Sequence, residues 1–271
     1  MMTSTAQQYP PIILTVAGSD PTAGAGLQAD LKTITHLGGY ATTAVTAITI
    51  QDTQQVHQVY PLPPHQVAEQ MRTCLADLPV ACIKLGMLAN KEILLTVANI
   101  LRAWPRIPVV ADPVLAGSKG GTLLDHNGLQ PYLEILLPQL TLLTPNLPET
   151  TTLTGLPVHS LPEREQAARQ LAQGNQTAIL IKGGHGEGEQ LTDLLLNKGK
   201  IYLFSNPRLP GPGFHGTGCT LASAISVYLA QGNTIEEAVK KGLLFVQQAI
   251  ANSLPLGKGQ HLLNPIPLHT S

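Results

Sequence analysis

The chain has 271 residues, 12% of them charged and 43% hydrophobic, which describes a compact globular protein with a substantial core and excludes a disordered chain. Sixteen basic against seventeen acidic residues leave a net charge of -1, too little for nucleic acid or an anionic membrane to be the main partner. The three cysteines are odd in number, no secretory signal precedes them and no apolar run reaches membrane-spanning length, so a reducing cytoplasm is the expected setting.

Ile12 to Ala17 is a short apolar run ending at Gly18-Ser-Asp-Pro and reads as a buried strand entering a turn. The glycine turn Gly24-Ala-Gly26 then opens a helix to about Leu37, and the β-branched run Ala41 to Ile50 reads as a second strand ending at Gln51. Helices are expected over Pro63 to Leu78 and Lys91 to Ala103, with strands at Ala81 to Leu85 and Ile107 to Ala111. Leu129 to Leu137 reads as a helix, and Leu140 to Leu143 as a strand closing on Thr144-Pro-Asn146-Leu-Pro-Glu149. A helix over Glu163 to Gln173, a strand over Ala178 to Ile181 and a hairpin around Asn197-Lys-Gly199 follow. The glycine-rich stretch Gly211 to Gly218 feeds an apolar helix to Ala230, and Thr234 caps a last helix to Ala251.

Strands alternating with helices indicate a three-layer αβα sandwich around a mostly parallel central sheet. No repeat and no dividing linker interrupts the order. Residues 1–10 are therefore expected to form a disordered tail, and 11–271 a single domain.

In such sheets ligands bind beyond the carboxyl ends of the strands. Here those ends carry Ser19 and Asp20, Gln51, Lys84, Asp112, Asn146 and Lys182. Gly216-Thr217-Gly218-Cys219 adds a turn whose N–H groups converge at a helix start, where an anion such as a phosphate is favoured. Cys219 is the one reactive side chain in that nest, and the helix start is expected to favour its thiolate. Asp112 and Glu149 suit Mg²⁺, which takes oxygen ligands; alternatively, Asn146 and Glu149 cap the helix that follows. Lys182 can reach a phosphate as a point charge, whereas Lys84 reads better as a lysine snorkelling at the sheet edge.

Two stretches match Gly-x-Gly-x-x-Gly/Ala, Gly24 to Ala29 and Gly211 to Gly216. The first lies a full turn beyond its strand and lacks the acidic residue about 20 positions on, so dinucleotide binding is disfavoured. The lysine-bearing phosphate loop of nucleotidases is absent.

With these residues assembled, the chain resembles the hydroxymethylpyrimidine/phosphomethylpyrimidine kinases of thiamine biosynthesis, in the ribokinase-like superfamily. The resemblance runs from about Ile12 to Leu254. It is carried by Ala17-Gly-Ser-Asp-Pro, Gly24-Ala-Gly-Leu-Gln-Ala-Asp-Leu-Lys, Lys84-Leu-Gly-Met-Leu, Asp112-Pro-Val, Thr144-Pro-Asn-Leu-Pro-Glu, Lys182-Gly-Gly-His and His215-Gly-Thr-Gly-Cys-Thr. It implies ATP and Mg²⁺ as cofactors, a small pyrimidine as the acceptor, two successive phosphoryl transfers and a homodimer.

Carried over by position, Gln51 would bond the aminopyrimidine edge. Gly18, Ala25, Met87, Val114 and Asp30 would complete the substrate pocket. Asp112 and Glu149 would act through the metal, Lys182, Asn146 and Thr217 would hold ATP, and Gly216, Thr217 and Gly218 would form the anion hole with Cys219 as base. Two stretches depart from the family pattern: the one containing Lys119, and Leu209 to Phe214, so the lid over the nucleotide is expected to differ. A pyridoxal kinase on the same fold and a non-catalytic pyrimidine-binding protein are the other readings.

Overall fold

A computed structural model describes residues 9–115, 124, 126–184 and 188–265. Residues 1–8 of the expected tail, Lys119 and His185 lie outside these residues.

β1 (Ile12–Ser19), α1 (Gly26–His36) and β2 (Tyr40–Gln51) open the chain, followed by β3 (Val56–Pro61), α2 (Pro64–Asp77) and β4 (Val80–Leu85). Next come α3 (Lys91–Leu101), β5 (Val109–Ala111) and a broken helical stretch starting with α4 (Leu129–Pro131), before β6 (Leu142–Leu143) and α5 (Leu147–Thr154). α6 (Leu161–Leu171), β7 (Ala178–Ile181) and the hairpin β8 (Gln190–Asn197) and β9 (Lys200–Pro207) lead to β10 (Phe214–His215). α7 (Thr217–Ala230), α8 (Ile235–Ala251) and β11 (His261–Leu262) complete the fold.

The main sheet has the order β3-β2-β1-β4-β5-β6-β7-β8-β9 among the described residues. β2, β1, β4, β5, β6 and β7 run parallel, β3 and β8 run against them, and β9, antiparallel to β8, runs with them again. One apolar cluster packs α2, α3 and α6 against one face, and a second packs α7 and α8 against the other. No helix among the described residues is long and apolar enough to cross a membrane.

The turn at Lys198 and Gly199 has φ +47° and +77°, the left-handed pair that a two-residue hairpin turn requires. Around α4 the expected regular helix is not formed: Leu129–Pro131 passes into a π turn at Tyr132–Leu136 and a 3-10 turn at Leu137–Gln139. Pro131 and Pro138 each lack an N–H, which interrupts the helical ladder. β3 and the short parallel pair β10–β11 are additions to the sequence expectation, and α5 is the helix that the capping alternative for Asn146 and Glu149 implied.

Candidate active site

The carboxyl ends of the parallel strands do form one rim. β1 ends at Ser19, β2 at Gln51 and β5 runs into Asp112, while Asn146 and Lys182 pair as a parallel bridge extending β6 and β7. Over this rim lie the N-termini of α1 and α7. The N-terminal residues of α3, α5, α6 and α8 are capped by side chains, those of α1, α2 and α7 are not, and of these three α1 and α7 start at the rim. Uncapped starts leave N–H groups available to a ligand.

Glycine holds the two helix starts together. Gly216 precedes α7 at φ +84°, and a Cβ there would sit 1.9 Å from the Gly24 carbonyl oxygen. Gly26 has φ +57°, and a Cβ on it would lie 2.4 Å from the Gly18 carbonyl oxygen. Only glycine takes both the backbone angle and the approach at these two positions.

The charged half of the rim centres on Lys182. Its Nζ donates to Asp112 Oδ1 at 2.6 Å and lies 3.9 Å from Glu149 Oε2. Gly218 sits against this pair, since a Cβ there would be 2.6 Å from Asp112 Oδ2 and 3.1 Å from Lys182 Nζ. Burial works against the Lys182 charge, but Asp112 and Glu149 outweigh it and hold the ammonium above its usual range. Burial raises the Glu149 carboxyl, and Asp112 adds to this, while Lys182 opposes both. Asn146 and Glu149 also form a capping box on α5: Glu149 N–H donates to Asn146 Oδ1 at 2.8 Å and Asn146 N–H to Glu149 Oε2 at 2.7 Å. The capping alternative is therefore realised together with the placement beside Asp112 and Lys182. The Asn146 side-chain oxygen is engaged by the cap rather than turned over the rim.

Beside this group opens a cavity of about 410 Å³. Lys182, Thr217, Gly218 and Asp193 line its polar side, and Leu221, Leu243, Val246 and Ile250 its apolar side.

The other half of the rim carries the expected pocket residues. Gly18 packs on Met87, whose methyl group would be 2.4 Å from a Cβ at position 18. Ala25 precedes α1, and its N–H donates to Asp20 Oδ2 at 2.8 Å. Val114 follows Asp112, and its N–H turns back to the Asp112 carbonyl. Gln51 lies with its amide 2.9 Å from His215 Nε2, which is 3.0 Å from Asp20 Oδ2. Burial works against charge on Asp20, but donors from His215, Thr22 and Ala25 prevail and hold it below the usual carboxylate range.

Three expectations need correction. Lys84 neither snorkels nor reaches the rim: it is fully buried, with Nζ 2.9 and 2.8 Å from the two Asp30 oxygens. Asp30 is likewise fully buried, and also accepts from Thr15 Oγ1 and from Ser223 Oγ, the latter at 2.8 Å. With both oxygens occupied beneath the site, Asp30 ties α1, β1, β4 and α7 together instead of facing a substrate.

The thiolate expected at Cys219 is the third. Burial pushes the thiol up to about 11, and the Lys84 charge and the Gly26 N–H offset only part of this. The helix start is outweighed by desolvation, and the neutral thiol prevails at pH 7.

Comparison with known proteins agrees with this geometry. A family model described as phosphomethylpyrimidine kinase matches residues 20–264. The chain is 37% identical over 247 residues to the hydroxymethylpyrimidine/phosphomethylpyrimidine kinase of Bacillus subtilis, covering 91% of each. It is 40% identical to the thiamine biosynthesis bifunctional protein ThiED of Geobacter sulfurreducens, where 94% of this chain spans 52% of that longer protein. The structure of Staphylococcus aureus pyridoxal kinase in complex with AMP-PCP and pyridoxal superposes with a TM-score of 0.86 at 33% identity, covering 94% of this chain and 93% of that one. With a rim, paired helix starts and a match over most of its length, the chain belongs to the phosphomethylpyrimidine kinase family.

Proposed function

We propose that this protein is an ATP-dependent kinase that phosphorylates 4-amino-5-hydroxymethyl-2-methylpyrimidine and then extends the monophosphate to the diphosphate, in thiamine biosynthesis. The observation that carries the proposal is the meeting of two helix starts without side-chain caps at the Gly24–Gly216 contact, that of α7 lying on Asp112 and Lys182, beside a cavity with apolar lining. The base and ribose of ATP occupy that cavity. Its phosphates run along Lys182 and Thr217 to the N–H groups of Gly216, Thr217 and Gly218, which stabilise the charge of the transferring phosphoryl. The pyrimidine lies on the other side of the glycine turn, against Gly18, Ala25, Met87 and Val114, with its amino edge on Gln51. Cys219 stands between the two and takes the hydroxymethyl proton in the first transfer. The second transfer starts from an ionised phosphate and needs no base.

The residues fit Mg²⁺. Asp112 and Glu149 offer oxygen donors only, and among the described residues no cluster of three or more His, Cys, Asp or Glu gathers, so these two residues would hold the ion and leave its remaining ligands to water and phosphate. When bound, the ion supplies neutralisation of phosphate charge.

A protonated Glu149 cannot serve as a ligand, and its raised carboxyl keeps its proton to higher pH than usual. The Mg²⁺ concentration for half-maximal rate should therefore rise as pH falls from 8 to 6, by up to about tenfold per unit once below the carboxyl's pKa. Glu149→Gln should need more Mg²⁺ at pH 8, approach the wild-type requirement as pH falls, and lose this pH dependence. A wild-type Mg²⁺ requirement that stays flat with pH would remove Glu149 from the metal site.

The superposed pyridoxal kinase favours a second reading, in which the same machinery phosphorylates a pyridine alcohol. Release of ADP with the pyrimidine alcohol, its monophosphate and pyridoxal, compared side by side, separates the two. The pyrimidine alcohol should show the highest kcat/KM, and preference for pyridoxal would transfer the assignment. We also place the protein in the cytoplasm, where its free cysteines stay reduced. We propose a homodimer as well, supported by the exposed apolar side chains of Ile48, Ile50 and Tyr60 on β2 and β3. Sedimentation at the mass of one chain would exclude the dimer.

A further inference from the structure

Gln51, His215 and Asp20 meet at one ring nitrogen, and the donors and acceptors there balance in only one way. Asp20 is acceptor-only when ionised, and its carboxylate already takes the Thr22 N–H, the Thr22 hydroxyl and the Ala25 N–H. His215 Nε2, 3.0 Å from Asp20 Oδ2, must therefore carry the proton and donate. The Gln51 amide atom 2.9 Å from the same Nε2 can then only be a second acceptor that shares this single N–H with Asp20 in a bifurcated bond. The structure sets Gln51 Nε2 at that position, where an NH₂ group would face an N–H, so the hydrogen bonding assigns the turned-over amide, with Oε1 toward His215.

The far side of the amide agrees. Thr49 Oγ1 donates to the Ser19 carbonyl at 2.9 Å and lies 3.3 Å from the other amide atom of Gln51, so it can accept from Gln51 Nε2. The His215 ring is itself fixed. It packs on Gly24 beside Leu262: a Cβ on Gly24 would lie 2.5 Å from the His215 ring and 2.7 Å from the Leu262 methyl. The pairing of β10 with β11 holds that arrangement.

We propose that His215, oriented by Asp20, is a positioning residue that locks the Gln51 amide in one orientation and thereby sets which ring edge the acceptor pocket takes. Locked this way, Gln51 keeps a second Oε1 lone pair and a second N–H for a ligand. The matching edge has an amino donor beside a ring-nitrogen acceptor. A ring bearing a carbonyl beside an N–H presents the reverse pattern and needs the amide turned over. Turning it sets two N–H groups against each other at His215 and faces the Gln51 oxygen to Thr49. The inference rests on the pyrimidine reading given above.

The test compares the amino ring with its oxo counterpart, each carrying the hydroxymethyl group, by calorimetric binding and by kcat/KM. Wild-type protein should prefer the amino ring by about 10-fold or more, the scale of one mispaired buried group. His215→Phe keeps the ring's bulk but frees the amide, so the preference should collapse while the KM for ATP holds, and the lost donor to buried Asp20 should lower the melting temperature. His215→Gln restores a donor and should restore most of the preference. In a Gln51→Ala background His215→Phe should have no further effect on the ratio.

An unchanged preference in His215→Phe, with the amino ring still bound by wild type, would overturn this inference alone. Wild-type protein that binds neither ring would overturn the functional reading and the inference with it.

Discussion

Cys219→Ala should slow the first phosphoryl transfer by about 100-fold or more and leave the second nearly intact, since a positioned base is worth that much only where a proton must leave. The thiol's environment adds a second signature. With burial holding it near 11, only a small thiolate fraction exists at neutral pH; forming it at pH 7 costs about 5 kcal/mol. The deprotonated form gains population as pH rises, so the first transfer should climb about tenfold per unit while the pH stays well below 11. Cys219→Ala should remove that slope. The second transfer should show no comparable rise. Equal loss of both transfers in a folded variant, or a flat first transfer in wild type, would make Cys219 a positioning group and send the alcohol proton to the phosphoryl oxygens.

Lys84→Met should be the most damaging single change to stability. Lys84 and Asp30 are both fully buried, and burial alone would lower the Lys84 pKa; Asp30 reverses this and raises it. Removing the lysine strands a carboxylate with only Thr15 and Ser223 as donors. Breaking a buried pair in this way costs about 3–5 kcal/mol, read as a drop in the urea midpoint. Lys84→Met combined with Asp30→Asn should recover part of that loss, because no charge is then left behind. A midpoint unchanged in Lys84→Met would mean that the pair does not bind β4 to α1 in solution. Since Asp30 also holds Ser223 of α7, the same variant should loosen the two helix starts and lower turnover beyond what stability explains.

Much of this was legible in the chain itself, for identifiable reasons. The parallel core strands announce themselves as apolar runs that stop at polar residues, and those residues do collect at one end of the sheet. The hairpin at Lys198 and Gly199 and the cap at Thr234 are local signals that need no tertiary information. β3 was missed because Val56-His-Gln-Val-Tyr-Pro is an exposed edge strand with few residues in the core. β10 and β11 are two residues each and exist only by pairing across the fold.

Lys84 shows the limit most clearly. Nothing near Ile83 or Leu85 reveals that a carboxylate 54 positions earlier meets it inside the protein. The thiolate at Cys219 failed for a related reason: the helix start is local and visible, whereas the desolvation that outweighs it comes from packing. The double use of Glu149, as capping residue and partly buried rim carboxylate, is also a product of that packing.

The most direct measurement is a crystal structure with a non-hydrolysable ATP analogue and the pyrimidine alcohol bound together. We expect the γ-phosphate on the N–H groups of Gly216, Thr217 and Gly218, with the hydroxymethyl oxygen about 3–3.5 Å from phosphorus and next to Cys219 Sγ. A nucleotide seated away from Lys182 and the start of α7, or an alcohol on the far side of Gln51 from Cys219, would contradict the mechanism.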